Sequence, residues 1–169
     1  MKQGPVIRRE RPDDIPGIRA VVTEAFGRPA EAVLVDALRE AAALTVSVVA
    51  DVGGRIVGHA GFSPITIGGA QHALALAPVA VAPRYQRQGI GATIIRSGLE
   101  LCREMDCPVV VVLGEPAYYK RFGFTPASGY GISCPFPVPD EAYMALQLVQ
   151  GAGPDCRGVV RYRPEFDLI

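Results

Sequence analysis

A loop with two glycines, QRQGIGA, lies between a predicted strand and a predicted helix. Gly89 and Gly91 carry no side chain, so a ligand can approach the backbone closely there. The first N–H groups of a helix have no partner inside the helix, and with the helix dipole they favour an anion such as a pyrophosphate. Arg84 and Arg87 add positive charge. The loop therefore indicates an anion site, although two glycines alone are more often only a tight turn.

This loop differs from two common phosphate-binding loops. It lacks the Gly-Lys-Ser/Thr ending of a P-loop. In the dinucleotide-binding fingerprint a third glycine would fall at position 94, where the chain has Ile94. A nicotinamide nucleotide enzyme is therefore a minor alternative.

Pro78 interrupts the predicted strand LALAPVAVA. A proline has no N–H to donate to a neighbouring strand, so the strand should bulge or part from a neighbour at this point. The exposed backbone groups could then pair with an extended, amide-bearing ligand as if it were another strand. An ordinary proline on an edge strand is the alternative.

Two adjacent tyrosines occur in the motif GEPAYYKRFGF, after a short apolar run. Neighbouring residues of a helix point about 100° apart, so both rings are not expected to face one ligand atom. One ring would pack in the core, and the other phenol could serve as a proton donor. A purely structural pair of tyrosines is the alternative.

The remaining pattern predicts the elements that position these motifs. Alternating and β-branched segments separated by Gly-Gly pairs indicate an antiparallel meander, and the run PVVVVLG is typical of a strand buried on both faces. The predicted strands cover residues 6–11, 44–51, 55–67, 71–82, 108–114, 142–149 and 158–162. The predicted helices cover residues 15–26, 29–38, 89–105 and 117–122. Residues 128–140 and 151–154 are predicted loops.

The composition narrows the class of protein. The chain has 169 residues with 17 basic and 17 acidic side chains, so binding to nucleic acid or membrane mainly through bulk charge is not expected. No apolar run has the length of a membrane span or a signal peptide, which predicts a soluble cytoplasmic protein of one domain, residues 1–169. The cysteines lack metal-ligand spacing and are expected to be packing residues.

Taken together, VAVAP followed by QRQGIGA and then YYKRFGF resemble the GNAT superfamily of acetyl-CoA-dependent N-acetyltransferases. The full motif GEPAYYKRFGF is also similar to a branch of small bacterial predicted acetyltransferases. The match covers residues 76–126. The resemblance implies an α/β (α+β) fold with a mixed, mostly antiparallel sheet of about seven strands, helices on both faces, and a splayed strand near Pro78.

The resemblance also implies roles for individual residues. The pantetheine arm of acetyl-CoA would pair with the backbone of Val79, Ala80 and Val81. The pyrophosphate would be held by the loop residues Gln86, Arg87, Gln88, Gly89, Ile90, Gly91 and Ala92. Tyr119 would be the general acid, and Tyr118 a packing residue. The implied reaction is direct attack of a primary amine on acetyl-CoA in a ternary complex, without a metal.

One departure from the family concerns the general base. Many members carry a glutamate on the strand before the loop, whereas residues 73–82 contain no carboxylate. Glu115, Glu24, His59 and His72 are other candidates, each with an ordinary structural role as the preferred interpretation. A chain of water molecules could also carry the proton.

The acceptor and the assembly are left open. A small-molecule or peptide amine is expected, bound by segments 24–39 and 128–141, and no nucleic acid or membrane partner is expected. Acidic residues in these segments could attract a cation: Glu24, Glu31, Asp36, Asp140 and Glu141. The protein would be a monomer or homodimer. The alternative to an enzyme is a non-catalytic CoA-binding or acyl-CoA-binding sensor with the same fold.

Overall fold

In the computed structural model, which describes residues 4–69, 71–150 and 156–169, the elements follow the predicted order. The strands are β1 (Val6–Arg9), β2 (Val46–Val52), β3 (Arg55–Ile67), β4 (Gln71–Val81), β5 (Val109–Leu113), β6 (Thr125–Pro126), β7 (Ile132–Ser133), β8 (Tyr143–Gln147) and β9 (Gly158–Arg161). The helices are α1 (Ile15–Phe26), α2 (Ala30–Glu40), α3 (Ile90–Glu104) and α4 (Pro116–Lys120). The predicted loop 151–154 lies outside the described residues.

The chain divides into two compact units. Of the described residues, the first unit contains 4–63, 77–101 and 164–169, and the second contains 64–69, 71–76, 102–150 and 156–163. No helix in the described part of either unit is both long and apolar enough to span a membrane.

The first unit is an antiparallel sheet covered by helices. Its strands hydrogen-bond in the order β1, β2, β3, β4, with Ile7 opposite Ala50 and Val48 opposite Ala60. Apolar side chains of α1 and α2 pack on the strands, because they recur at helical spacing and so share one face. This core contains Ile18, Val21, Val22, Ala32, Val35, Val49, Ile56, Ala80 and Ala82.

Helix α3 approaches the first unit's sheet at a glycine. A Cβ atom on Gly98 would lie only 2.3 Å from Cε1 of Phe62, which is fully buried. Since real Cβ atoms do not approach other atoms this closely, any side chain at position 98 would displace the helix or the ring. Gly98 therefore sets how closely α3 packs on β3.

The second unit contains the parallel pairing expected of the buried strand. The first half of β4 pairs with β5 at Leu74–Val110 and Ala75–Val111. Strand β5 also pairs antiparallel with β8, which pairs with β6, and the end of β3 pairs with β9. The first four residues of β5 are buried, as predicted for a strand covered on both faces.

Two short strands were missing from the sequence prediction. Strand β6 (Thr125–Pro126) pairs antiparallel with β8, and β7 (Ile132–Ser133) pairs parallel with β9. Each has two residues, too few for alternation to be visible in the sequence. The described residues thus form nine strands rather than the seven predicted.

A chain of polar side chains crosses the first unit. His59 is fully buried, and its Nε2 lies 2.8 Å from Oγ of Ser47. The Ser47 hydroxyl donates to Oε1 of Glu10. The Glu10 carboxylate also accepts two hydrogen bonds from Arg39, one at Oε2 (2.8 Å) and one at Oε1 (2.7 Å). Since the single hydroxyl proton goes to Glu10, Nε2 of His59 carries the proton that Ser47 accepts, and Nδ1 is the bare nitrogen. His59 is therefore a hydrogen-bonded residue of β3, as preferred from the sequence.

The free energy of unfolding should fall by about 3 kcal/mol between pH 7 and pH 4 through His59 alone. The unfolded chain takes up a proton at this histidine near pH 6.5, whereas burial lowers its pKa in the folded protein to about 4. Acid therefore favours the unfolded state. Urea unfolding at several pH values measures the fall, which His59→Gln should remove.

His72→Gln is the matched control, because His72 is an exposed residue of β4. This variant should keep the full fall in stability. An equally steep fall in His59→Gln and in the wild-type protein would contradict the prediction.

Candidate functional site

The C-terminal end of β4 presents backbone groups on the side away from β3. The N–H of Ala82 donates to the carbonyl of Val57 on β3 at 2.9 Å. Since successive residues of a strand direct their backbone groups to opposite sides, those of Val79 and Val81 point away from β3. The β4–β5 pairs involve Leu74 and Ala75, which precede Pro78, as expected if this proline interrupts the pairing.

Two glutamine side chains shape the loop that follows β4. The amide Nε2 of Gln86 donates to the carbonyl of Val81 at 3.0 Å, and Nε2 of Gln88 donates to the carbonyl of Arg84 at 3.1 Å. Arg87 adopts a left-handed conformation with φ of 62°. These bonds fold the exposed loop back on the strand end. The bond from Gln86 to Val81, the Gln86 tie, is not predicted by the sequence motif.

The loop leads directly into the first turn of α3. Both the N–H and the hydroxyl of Thr93 donate to the carbonyl of Gly89, at 3.1 and 2.8 Å. The N–H groups of Ile90, Gly91 and Ala92 precede this first helical bond and have no partner inside the helix. Gly89 has φ of 82°, a conformation that favours glycine, and no atom beyond its chain neighbours lies within 4 Å of the position its Cβ would take.

This arrangement fits a pyrophosphate. The α3 dipole and three N–H groups favour an anion at the start of a 15-residue helix. Arg84 and Arg87 are exposed and supply nearby positive charge. The side chains of Ile90 and Ala92 are buried, so these residues offer only backbone. The Ala80 side chain likewise belongs to the core of the first unit, and its backbone groups face β3, so the structure does not direct Ala80 to the same side as Val79 and Val81.

Tyr119 lies in the second unit against a glycine. A Cβ atom on Gly114 would be 2.5 Å from Cε2 of the Tyr119 ring, so the ring occupies the space that a side chain would need. Phe124 contacts the same ring edge to face, with centroids 5.9 Å apart. Burial, together with Tyr118, raises the pKa of the Tyr119 phenol to about 12. The ring of Tyr119 is thus fixed by its neighbours, and its phenol is protonated at neutral pH.

Tyr118 has different surroundings. Its ring packs edge to face on Tyr119 and Phe122, with centroids 5.0 and 5.5 Å apart. The guanidinium of Arg121 lies 4.6 Å from the ring centroid, a cation–π distance. Tyr118 thus makes packing contacts in an aromatic cluster, the kind of role that the motif predicts for it.

The other acid–base candidates are scattered. Glu24, Glu115 and His72 are exposed, whereas His59 is enclosed in the polar chain described above. The backbone carbonyl of Glu115 accepts the N–H groups of Tyr118 and Tyr119, so this residue starts α4. Within the described residues, no group of three or more His, Cys, Asp or Glu side chains is placed to hold a metal ion.

A sequence model described as "Acetyltransferase (GNAT) family" matches residues 15–124, which include β4, its loop, α3 and Tyr119. The chain belongs to the GNAT family. The fold expected from the GNAT resemblance, a mostly antiparallel mixed sheet with helices, is confirmed by GNAT structures of high similarity.

Several GNAT proteins are similar over most of the chain. The Escherichia coli N-acetyltransferase YhbS, itself uncharacterized, is 37% identical over 164 residues, covering 96% of this chain and 98% of YhbS. A crystal structure of YhbS in complex with CoA has a TM-score of 0.93 and 36% identity, covering 97% of this chain and 92% of that one. A GNAT acetyltransferase from Brucella melitensis in complex with acetyl-CoA has a TM-score of 0.82 and 37% identity, covering 96% and 98%.

Gly114→Ala in this GNAT chain should lower the free energy of unfolding by about 1–3 kcal/mol, because the new methyl group would overlap the Tyr119 ring. In the Tyr119→Ala background the same substitution should lower the free energy of unfolding far less, because the ring that the methyl group would overlap is absent. Chemical denaturation of the four proteins in this double-mutant cycle measures the coupling.

Gly129→Ala serves as the control, because no atom lies within 4 Å of the Cβ position at that glycine of the same unit. It should leave stability nearly unchanged. Equal costs of Gly114→Ala with and without the Tyr119 ring would show that the ring is not held by this contact.

Proposed function

We propose that this protein transfers an acetyl group from acetyl-CoA to a primary amine. The observation that carries the proposal is the arrangement at the end of β4. Backbone groups directed away from β3, a glycine loop bonded back to the strand by Gln86, and the start of α3 follow one another there. The YhbS structure contains CoA and the Brucella melitensis structure contains acetyl-CoA, which supports the same ligand here. An enzyme that uses acetyl-CoA is expected to work in the cytoplasm.

The proposed binding roles follow from the groups that each segment offers. N–H groups from the loop and the first turn of α3, residues 87–92, would hold the pyrophosphate, with Arg84 and Arg87 adding attraction. The backbone of Val79 and Val81 would pair with the amide groups of the pantetheine arm as an added strand does. Gln86 would contribute to binding indirectly, through Val81, because its side-chain amide already donates a hydrogen bond to the Val81 carbonyl.

The proposed chemistry needs only positioning and one proton donor. Acetyl-CoA supplies an activated acetyl thioester, and the amine attacks it directly in a ternary complex. The N–H of Val81 would stabilise negative charge that develops on the carbonyl oxygen. Tyr119 would donate the proton that the departing thiolate takes up, and the phenolate would regain a proton from solvent. With a phenol pKa of about 12 against about 8.5 for a free thiol, the donation is uphill by roughly 5 kcal/mol, so it must accompany thiolate departure.

The proton lost by the amine has no assigned acceptor on β4. The described part of this strand, residues 71–81, carries no carboxylate, and His59 on the neighbouring strand already takes part in the buried polar chain. We therefore assign the deprotonation step to solvent, with the amine entering in its neutral form. Turnover should then rise with pH as more of the amine is neutral.

Gly91→Glu should weaken acetyl-CoA binding at least tenfold, because it puts a carboxylate at the helix start where an anion is meant to bind. Calorimetric titration of the purified protein measures the dissociation constant. Gly91→Ala, which adds a methyl group without charge, should weaken binding less than Gly91→Glu does. Gly4→Glu adds the same charge at an exposed glycine elsewhere and should have no effect.

If the wild-type protein fails to bind acetyl-CoA, the proposed function is wrong. Binding that is equally strong in the Gly91→Glu variant would remove the loop from the site. Binding without release of CoA across a broad panel of amines would favour the non-catalytic sensor instead.

Tyr119→Phe should lower kcat by about 10²–10⁴-fold while leaving acetyl-CoA binding unchanged, because only the proton donor is removed. The loss should be similar at every pH from 7 to 10, since a phenol with a pKa of about 12 stays protonated throughout. Steady-state kinetics with a thiol reagent that detects CoA give this profile. Tyr118→Phe is the control and should retain most of the turnover.

Unchanged kcat in Tyr119→Phe would exclude this tyrosine as the proton donor. A loss confined to low pH would also contradict the assignment, because it would require a group that titrates within the range.

A further inference from the structure

Helix α3 ends in a turn that is closed by backbone hydrogen bonds. The N–H of Cys107 donates to the carbonyl of Cys102 at 3.1 Å, and the N–H of Asp106 donates to the carbonyl of Arg103 at 3.0 Å. Asp106 has a left-handed conformation with φ of 57°. These features define a Schellman motif, in which a residue just beyond the helix contacts a residue of its last turn. In this chain the two positions of that contact are Cys107 and Cys102.

The turn brings the two cysteines within the reach of a disulfide. A hydrogen bond of 3.1 Å limits the distance between the Cα atoms of Cys102 and Cys107 to about 7 Å. Because the chain bends at both the carbonyl and the amide, the separation in such a turn is roughly 5–6 Å. A disulfide joins Cα atoms that lie about 4.4–6.8 Å apart. The backbone of the folded protein therefore already has the spacing that a disulfide needs.

Both thiols lie beneath an exposed turn. Cys102 is fully buried and Cys107 is 8% exposed, whereas the residues that connect them, 103–106, are exposed. Burial raises the pKa of the Cys102 thiol to about 12 and that of the Cys107 thiol to about 11, so thiolate is scarce at neutral pH. Helix ends open locally at a small cost in free energy. We therefore expect reagents to reach the thiols slowly, when this turn opens.

We propose that Cys102 and Cys107 are a disulfide site at the end of α3, oxidised by a low-molecular-weight disulfide such as glutathione disulfide. The site uses residues of the second unit alone. It is independent of the acetyl transfer proposed above.

The reaction is a pair of thiol–disulfide exchanges. Cys107, the more exposed of the two, attacks one sulfur of glutathione disulfide as its thiolate, and the S–S bond of the reagent breaks to release one glutathione thiolate. Cys102 then attacks the mixed disulfide, which forms the internal S–S bond and releases the second glutathione. Two cysteine thiols are oxidised, one glutathione disulfide is reduced, and the two thiol protons pass to the glutathione thiolates. The weak hydrogen bond from Sγ of Cys107 to the carbonyl of Val109, 3.3 Å long, is lost.

The test incubates the reduced full chain with glutathione disulfide, blocks the remaining thiols with N-ethylmaleimide and digests the protein with trypsin. Trypsin cuts after Arg103, between the two cysteines, so their disulfide joins peptide 97–103 to peptide 104–120. Mass spectrometry should detect this linked pair, and dithiothreitol should separate it. The readout needs no enzymatic activity.

Cys156 is the competing partner for Cys107. It is buried in the core of the second unit, and its thiol contributes to the raised pKa of Cys107. A disulfide between Cys107 and Cys156 would join peptide 104–120 to peptide 122–157 instead. The two products therefore differ in mass.

The folded turn should favour the disulfide. In glutathione redox buffers, the folded protein should form the Cys102–Cys107 bond at least about tenfold more readily than the same chain in urea. Asp106→Val should remove most of this advantage, because a β-branched residue disfavours the left-handed conformation that the turn requires. Asp106→Gly is the matched control and should keep it, since glycine adopts this conformation freely. Asp106 is exposed, so both variants should fold, as circular dichroism would verify.

The proposal is overturned if the folded protein gives no link between peptides 97–103 and 104–120, or if the link runs to Cys156. It is also overturned if the folded protein forms the bond no more readily than the denatured chain, or if the Val and Gly variants of Asp106 behave alike. Each outcome is separate from the proposed acetyl transfer, which is judged by acetyl-CoA binding and CoA release.

Discussion

The hydrogen bond from Ala82 to Val57 determines which way the end of β4 directs its backbone. Because this bond uses the side of the strand that faces β3, the groups of Val79 and Val81 are directed to the opposite side. The Gln86 tie and the first turn of α3 follow within ten residues. A strand end, a folded loop and a helix start thus present backbone donors one after another, and backbone donors do not depend on side-chain rotamers.

Local charge matters more here than net charge, which is zero. Arg8 and Arg39 are engaged in ion pairs with Asp14, Asp51, Glu10 and Asp36, and they join β1 and α2 to their neighbours. Arg84 and Arg87, by contrast, lie exposed on the proposed pyrophosphate loop. The balanced composition argues against a protein that works by bulk charge, yet it leaves room for a locally basic loop.

The sequence patterns predicted α1 and β3 with the bounds that the structure has, because α1 has a helical hydrophobic repeat that ends at Gly27 and β3 lies between two Gly-Gly turns. The strand, loop and helix start that frame the proposed pyrophosphate site were also predictable, since each depends on local sequence. The contact between Gly114 and Tyr119 and the bond from Gln86 to Val81 were not predictable. Each joins residues only five positions apart, but it depends on the conformation of the intervening loop and on the direction of a side chain, which the spacing of residues in the sequence does not record.

The close approach at Gly98 has a mechanical consequence. Eight residues separate it from Ile90, so the first turn of α3 lies about 12 Å along the helix axis from the contact with Phe62. A helix is stiff over this length, so any tilt of α3 at Gly98 also displaces the start of the helix. A tilt of about 5° there would move the far end by about 1 Å, a third of a hydrogen bond's length. Gly98 thus fixes the direction of the N–H groups at the start of α3, although no ligand needs to contact this residue.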